Sequence, residues 1–446
     1  MLLRLILAIP IVLMPNLLYV PLDTGIPSIN LANLLLIMVV MALLISPRDE
    51  LTRHTMGVLT PPLLFLFATV VIGYFIAVTT LPGDGVSDLT SLKNFVFYPL
   101  LYFVYRRCKQ DLRGTRQLIV LSLLVVVVAG IDLVLQGLAN DAFSGYSETN
   151  RFAGPFGDYR SANRAGVFFA MFLPMFAAFA LFLRGRKIWS AVSIAGCAIV
   201  AAAIMLTYSR QSYLIAVIAV ALLMVRRHVV LAVLLGLAAI PAISLLPPGV
   251  TQRVAETQQY SSTGRAQLDV STASRFDIWS GALKMWKDHP AGVGLDRFPR
   301  KIGDYSEYQN FDAHNMYVLM LAECGPLGLI ALLWVLWRML RLALALRRSG
   351  DEADVEVKAL GLGFTVAVIA MAMGNLYGSP FHEGLVMANF WIMCGLVERY
   401  TLLKRRAVLA AHREADTPRI ALTEAIAGRY PLSERVLPGR YRIGSK

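Results

Sequence analysis

Apolar runs of about twenty residues recur from one end of this chain to the other, and no other feature restricts the fold as much. At 1.5 Å of rise per residue, a helix of about 20 apolar residues crosses a hydrocarbon layer with its backbone polar groups satisfied internally. Twelve runs are read, at 3–20, 27–46, 58–79, 89–105, 117–138, 164–183, 188–207, 211–225, 229–247, 314–337, 359–377 and 383–401. Composition agrees: 57% of the 446 residues are hydrophobic and 16% are charged, where soluble domains carry about 25%. The expected fold is all-α, a polytopic membrane helix bundle of about 12 spans. The first run lacks a small-residue cleavage site and reads as a span rather than a signal peptide.

The net charge of +13 raises the question of nucleic acid, but the placement of the charge answers it. Basic residues cluster in short links between apolar runs, as orientation signals do, so no nucleic-acid partner is expected. With the N-terminus inside, the inner links include RRCKQDLRGTR, RGRK and RRH, and together the inner links carry 17 lysines and arginines. The short outer links carry five, namely Lys93, Arg151, Arg160, Arg164 and Arg210. Lys93 and Asn94 interrupt the fourth run, yet removing that span would move RRCKQDLRGTR outside and break the asymmetry. Both termini are therefore expected inside. Cys108, Cys197, Cys324 and Cys394 fall in or beside apolar runs, so no disulfide framework is expected. The absence of a P-loop argues against ATP-driven work.

The organisation read from this pattern is nine membrane helices over 1–247, one large outer loop over 248–313, three further helices over 314–401, and a basic inner tail over 402–446. The loop is neutral, with eight Lys/Arg and eight Asp/Glu. Within it SRFDIWSGALKMWKDHP reads as an amphipathic helix with Ile278, Trp279, Ala282, Leu283 and Trp286 on one face. It lies in the outer interface or packs on the ends of the spans; both remain open. The tail carries ten Lys/Arg against four Asp/Glu, which suits a solvated segment near an anionic leaflet.

Sorting polar residues by side of the membrane points to a site. Arginine should be depleted outside, so arginines that remain there against span ends are candidates for an anionic ligand, since guanidinium matches phosphate oxygens bidentately. In RFAGPFGDYRSANRAG, Arg160 and Arg164 flank Asn163, which stands where a helix N-cap could. Snorkelling arginines would look the same. Arg210, in TYSRQS, is confined to an outer link of a few residues. His314 opens the tenth run in DAHNMYVLMLAECGPLG, followed by Asn315, and its ordinary pKa near 6.5 suits a base at neutral pH; a histidine satisfied by backbone is the alternative. His382 and Glu383 sit at the outer end of the last run. Glu323 and Asp132, inside apolar runs, need partners or water and read as structural support or gating.

Taken together, RFAGPFGDYRSANRAG, TYSRQS, SRFDIWSGALKMWKDHPAGVGLDRF and HNMYVLMLAECGPLGL resemble the O-antigen ligase and O-antigen polymerase family of bacterial inner membranes. The motifs cover roughly 150–335, and the topology extends the likeness to the whole chain. The resemblance implies a GT-C-like membrane glycosyltransferase, without cofactor or metal, acting at the periplasmic face. Its donor would be an undecaprenyl-pyrophosphate-linked glycan and its acceptor lipid A-core or a growing glycan. It implies catalytic roles for Arg210, Arg275 and His314 and a role for Asn163, while substrate binding by Arg160, Arg164, Asn163, Asn315 and His382 is expected from their place at the outer span ends. One departure is visible: the family's compact Asn-Pro-Asn turn reads DYRSANRAG here, which bears on Asn163. On this reading the 247–325 stretch is a lid that completes a site whose other wall comes from separate links. The rival classes are a twelve-span secondary transporter, whose polar groups would gather near the bilayer midplane, and a non-catalytic export scaffold.

Overall fold

The computed structural model describes residues 2–19, 31–45, 49–53, 55–81, 83, 85–141, 145–183, 187–242, 247–255, 258–260, 266–268, 270–350 and 354–429. Helices run α1 Leu2–Leu13, α2 Leu31–Ile45, α3 Glu50–Arg53, α4 Thr60–Thr80, α5 Gly85–Arg107, α6 Leu112–Ala139, α7 Ala162–Phe182, α8 Lys187–Leu206, α9 Arg210–Arg227 and α10 Val229–Ala242. The loop contributes α11 Pro248–Ala255, α12 Val270–Asp288 and α13 Phe298–Lys301. Then follow α14 Met316–Arg347, α15 Val355–Gly374 and α16 Gly384–Arg429. The only strands among the described residues are β1 Gln258–Tyr260 and β2 Ala266–Leu268, a short antiparallel hairpin within the loop.

Each of the twelve apolar runs contains a helix. Among the described residues, six segments are long and apolar enough to cross a membrane: Thr60–Thr80, Leu112–Ala139, Tyr159–Phe182, Lys187–Leu206, Met316–Arg347 and Val355–Gly374. Polar start signals suit the helix ends. Asp111 caps α6 by accepting from Gly114 N–H, and Asp354 caps α15 by accepting from Val357 N–H, which satisfies donors that have no intrahelical partner.

α7 is the most enclosed of the six, flanked by α8, α9 and α15. Apolar contact with lipid competes with apolar contact between helices, so close packing of small residues is what holds such helices together. Gly363 of α15 shows this: a Cβ there would lie 2.8 Å from the Met175 Cα of α7. Polar residues hold the end of α5 that bears Arg106 and the turn of α16 beside it. Glu398 of α16 accepts from Arg106 Nε (2.7 Å), Tyr102 Oη and the Val58 N–H, and Arg399 pairs with Asp49.

The interrupted fourth run forms a helix over its full predicted length. Its first turn is secured by Asp88, whose carboxylate receives both Nη atoms of Arg297 at 2.6 and 2.7 Å, with Arg297 fully buried. About 27 Å of helix axis separates Asp88 from Arg106 at 1.5 Å per residue.

Two expectations are corrected, and one helix runs on beyond its apolar run. The run at 314–337 is not one straight helix: α14 breaks at Gly325 (φ 65°) before Pro326 and continues to Arg347. The break frees the Ala322 and Glu323 carbonyls, which accept from Val293 N–H (2.9 Å) and Gly294 N–H (3.0 Å) of the loop. On α12 the buried face is Ile278, Ala282 and Met285, while Leu283 is exposed; the face packs on α14, not in open interface. Finally, α16 carries helix through Arg429 into the predicted tail, a stretch rich in alanine and other strong helix formers. Residues 430–446 lie outside the described residues.

Both intramembrane carboxylates have partners. Asp132 is met by Tyr19 Oη and by Gln136 Nε2. Glu323 accepts from Phe298 N–H at 3.1 Å, so a loop residue satisfies it.

Candidate active site at the loop–helix junction

The chain leaves the loop through Asp312, Ala313, His314 and Asn315 and enters α14 at Met316. Asn315 is extended (φ −158°) and caps the helix, its Oδ1 accepting from Tyr317 N–H (2.9 Å) and Val318 N–H (3.1 Å). The Met316 N–H donates to Asn375 O at 2.9 Å. Asn315 is thus the buried cap that fixes where His314 stands. His314 itself is held in the left-handed region (φ 47°), a conformation that non-glycine residues adopt at a cost and that clusters at functional sites. Its Nδ1 faces Asp312 Oδ2 at 3.6 Å.

α12 holds the same link from the loop side. Trp279 Nε1–H donates to Ala313 O at 2.8 Å, and its indole lies 5.9 Å from the Tyr377 ring. Arg275, one helical turn earlier and so on the same side of α12, places its guanidinium 5.9 Å from the centroid of Tyr377. Such an arrangement is a cation–π contact. Arg164, in the first turn of α7, pairs with Glu383 (Nε to Oε1, 2.9 Å).

Three charged groups therefore act on the imidazole, and their effects can be ordered together with that of burial. Burial is the largest and lowers the His314 pKa below its ordinary 6.5; the Asp312 carboxylate opposes it, and the Arg275 and Arg164 charges lower it further. The net direction is down, which keeps the ring neutral and able to take a proton at neutral pH.

The turn between α15 and α16 forms the floor. Asn375, fully buried, donates through Nδ2 to Met371 O (2.8 Å) and accepts through Oδ1 from Phe381 N–H (3.1 Å). Gln211 Nε2 donates to Gly374 O at 2.6 Å, tying the first turn of α9 to this turn. Arg210, half-buried, is the residue that opens α9.

Of the eight residues singled out from sequence, the structure gathers Arg164, Arg275, His314 and Asn315 at one junction, with Arg210 joined to it through its neighbour Gln211. The other three are placed differently. His382 stacks on Phe95 (5.7 Å, 19° between planes), turning its ring toward α5. Arg160 is exposed and leans over the Tyr159 ring. Asn163 is not the N-cap of α7: a 3-10 turn over Tyr159–Ser161 feeds straight into the helix, leaving Ser161 at that position. Asn163 instead accepts from Arg151 Nη2 (2.6 Å), while Arg151 Nε reaches Thr207 O.

Asp312, Glu383, Tyr377 and Trp279 are the contributors that sequence reading did not assign to the site. The Asp-Ala-His spacing could have signalled the first; nothing local could have signalled the pairing of Glu383 with Arg164, which are far apart in the chain.

Residues 195–333 match the family model described as O-antigen ligase. The matched stretch includes Arg210, Arg275, His314 and the kink of α14, and leaves out Arg160, Arg164 and His382. No curated protein matches the chain. The segment that carries Arg210, Arg275 and His314 thus lies within the stretch that is similar to the O-antigen ligase family.

Proposed function

We propose that the protein transfers a glycan from an undecaprenyl-pyrophosphate donor to an acceptor hydroxyl at the periplasmic face of the bacterial inner membrane, as an O-antigen ligase acting on lipid A-core. The observation that carries this reading is the placement of His314 beside Asp312 at the start of α14, with the Arg275 and Arg164 charges acting on its ring. The twelve-span topology with both termini cytoplasmic belongs to the same proposal.

In this reading Asp312 faces Nδ1 and favours a proton there, which leaves the Nε2 lone pair for the acceptor hydroxyl. As the acceptor oxygen bonds to the anomeric carbon, the bond from that carbon to the pyrophosphate oxygen breaks. The hydroxyl proton passes to Nε2, and Asp312 stabilises the imidazolium that results. Negative charge grows on the departing pyrophosphate, where Arg210 and Arg275 counter it; a fixed cation aimed at developing charge is worth most in a site that excludes water. Arg164, held by Glu383, keeps the base neutral and supplies further positive potential. Asn315, as helix cap, holds His314 in place.

The test is transfer in membranes carrying Arg210→Ala, Arg275→Ala or His314→Ala at wild-type protein levels. Each is expected to lose on the order of 100-fold or more, and retained activity in any two overturns the mechanism. Accumulation of lipid A-core without O-chains on loss of the protein supports ligation; single-repeat caps point instead to polymerisation.

A further inference from the structure

Among the basic residues of the short outer links, Arg151 takes no part in the chemistry above. It is buried, and each of its guanidinium nitrogens faces an acceptor of the protein. Nε donates to Thr207 O at 3.1 Å, Nη2 donates to Asn163 Oδ1 at 2.6 Å, and Nη1 lies 3.6 Å from Glu148 Oε2. A guanidinium engaged in this way is not offered to a ligand. It joins three segments instead: the link between α6 and α7, the first turn of α7, and the link between α8 and α9. Glu148 extends the connection to the outer loop, meeting Arg253 of α11 at 3.3 Å.

The link between α8 and α9 delivers Arg210. α8 ends at Leu206 and α9 opens at Arg210, so Thr207, Tyr208 and Ser209 alone separate the two helices. Carbonyls at a helix end lack an intrahelical partner, and here two of them are met by the link before α7. Leu206 O accepts from Phe152 N–H at 3.2 Å, and Thr207 O accepts from Arg151. Tyr208, fully buried, then adopts φ 49°. A bulky side chain holds that conformation only where its surroundings impose it. Ser209 stands at the N-cap position of α9 without making a side-chain cap, its Oγ accepting from Ser212 Oγ at 2.9 Å. A grip from outside the link thus stands where a cap would.

We propose that Arg151 is a positioning residue for Arg210: its guanidinium fork fixes the 207–209 link against α7 and so sets where Arg210 stands at the start of α9. The inference rests on the role given to Arg210 in transfer. Fork geometry matters more than charge here, because acceptors on separate segments are held at once; a lysine carries the same charge but presents a single ammonium on a flexible stem. A displacement of about 1 Å in a group that stabilises developing charge is enough for a large loss of rate.

The experiment follows hydrogen exchange by mass spectrometry in the full chain purified in neutral detergent, and assays the same variants for transfer in membranes. In Arg151→Gln, and equally in Arg151→Lys, peptides covering 207–213 should exchange faster while peptides of α12 stay unchanged. Transfer should fall on the order of 100-fold. In an Arg210→Lys background the same change should cost no more than about threefold, since a residue that acts through Arg210 has little left to disturb there. A merely structural role loses the same factor in both backgrounds, and that result overturns the inference. Full transfer by Arg151→Lys overturns it too, as does faster exchange throughout the chain, which marks a general loosening. Should Arg151→Gln not fold, Asn163→Ala carries the test, because it withdraws one acceptor at an exposed residue. Faster exchange over 207–213 with a smaller loss of transfer is expected, and no change in either measurement overturns the grip. Faster exchange in the Arg151 variants together with full transfer by Arg210→Ala sinks the reading of Arg210 and leaves the grip on the link standing.

Discussion

Nδ1 of His314 lies 3.6 Å from Oδ2 of Asp312, and both side chains are close to half-exposed. That is too long for a tight charge-assisted bond, so the carboxylate acts chiefly through its charge. Asp312 raises the histidine's pKa against burial and the two arginines, which lower it. Replacing it with asparagine removes the one opposing influence. The base then becomes weaker, and the acid limb of the transfer rate, where His314 gains its proton, should move to lower pH. Because the contact is long and partly solvated, the plateau rate should fall by roughly tenfold. A pH–rate profile in membranes that stays put in Asp312→Asn would remove Asp312 from the mechanism.

Arg164→Gln makes the opposite prediction from the same set of charges. With one positive neighbour gone, His314 binds its proton more readily, so the acid limb should move to higher pH, toward the ordinary histidine value near 6.5. Glu383→Gln, which leaves the Arg164 charge uncompensated, should move the limb the other way. The same profiles read both variants, and a shift of the same sign in the two would show that the Arg164–Glu383 pair does not act on the base through its charge.

How much of this was legible in the sequence depends on the reach of each interaction. His314 and Arg275 stood out because polar residues at the ends of apolar runs are few and each demands a reason. The helices were readable because lipid imposes length and hydropathy. What escaped was whatever depends on partners distant in the chain. Asn163 looked like a cap because its type and position fit one, yet Arg151 claims its carbonyl. Leu283 was assigned to the buried face of α12 because Ile278, Ala282 and Leu283 share a helical spacing; packing on α14 selected Met285 in its place. The kink at Gly325 needed the loop N–H groups of Val293 and Gly294 to be known, since they meet the carbonyls the break frees.

Trp279 should prove as important through its N–H as through its ring. Trp279→Phe keeps an aromatic near Tyr377 but withdraws the donor from Ala313 O (2.8 Å), and Ala313 is fully buried. A buried carbonyl left without its partner costs about 1–3 kcal/mol, and the residue that loses its anchor adjoins His314. Thermal unfolding in detergent should show that modest loss, while transfer should fall by a larger factor. Equal, small losses in both would mean that the indole merely fills space.

Gly325→Ala tests the break in α14. With φ at 65° and a new Cβ only 2.9 Å from Pro290 O, alanine meets both a conformation worth about 1–2 kcal/mol of strain and a clash with the loop. The loop residues that fill the freed carbonyls would have to withdraw. The expected outcome is lower thermal stability together with easier proteolysis of the loop between α10 and α14; an unchanged cleavage pattern would show that the kink and the loop are independent.

The most demanding prediction concerns Asp88 and Arg297, which join α5 to the loop by two bonds of 2.6 and 2.7 Å with both side chains buried. Arg297 Nε also donates to Leu81 O at 2.7 Å, and Ser87 Oγ reaches Asp296 Oδ2, so the pair is the centre of a strap. Asp88→Ala leaves a buried guanidinium without its counter-charge, and breaking such a pair costs about 3–5 kcal/mol. Replacing both partners by apolar residues of similar size, Asp88→Leu with Arg297→Met, removes the charge along with its partner and should cost distinctly less than Asp88→Ala alone, although the Leu81 carbonyl still loses a donor. Thermal unfolding of the wild type, Asp88→Ala, Asp88→Leu, Arg297→Met and the double variant in one detergent decides it. If the double variant is as unstable as the two single changes added together, the residues contribute separately, and the loop is held by something other than their pairing.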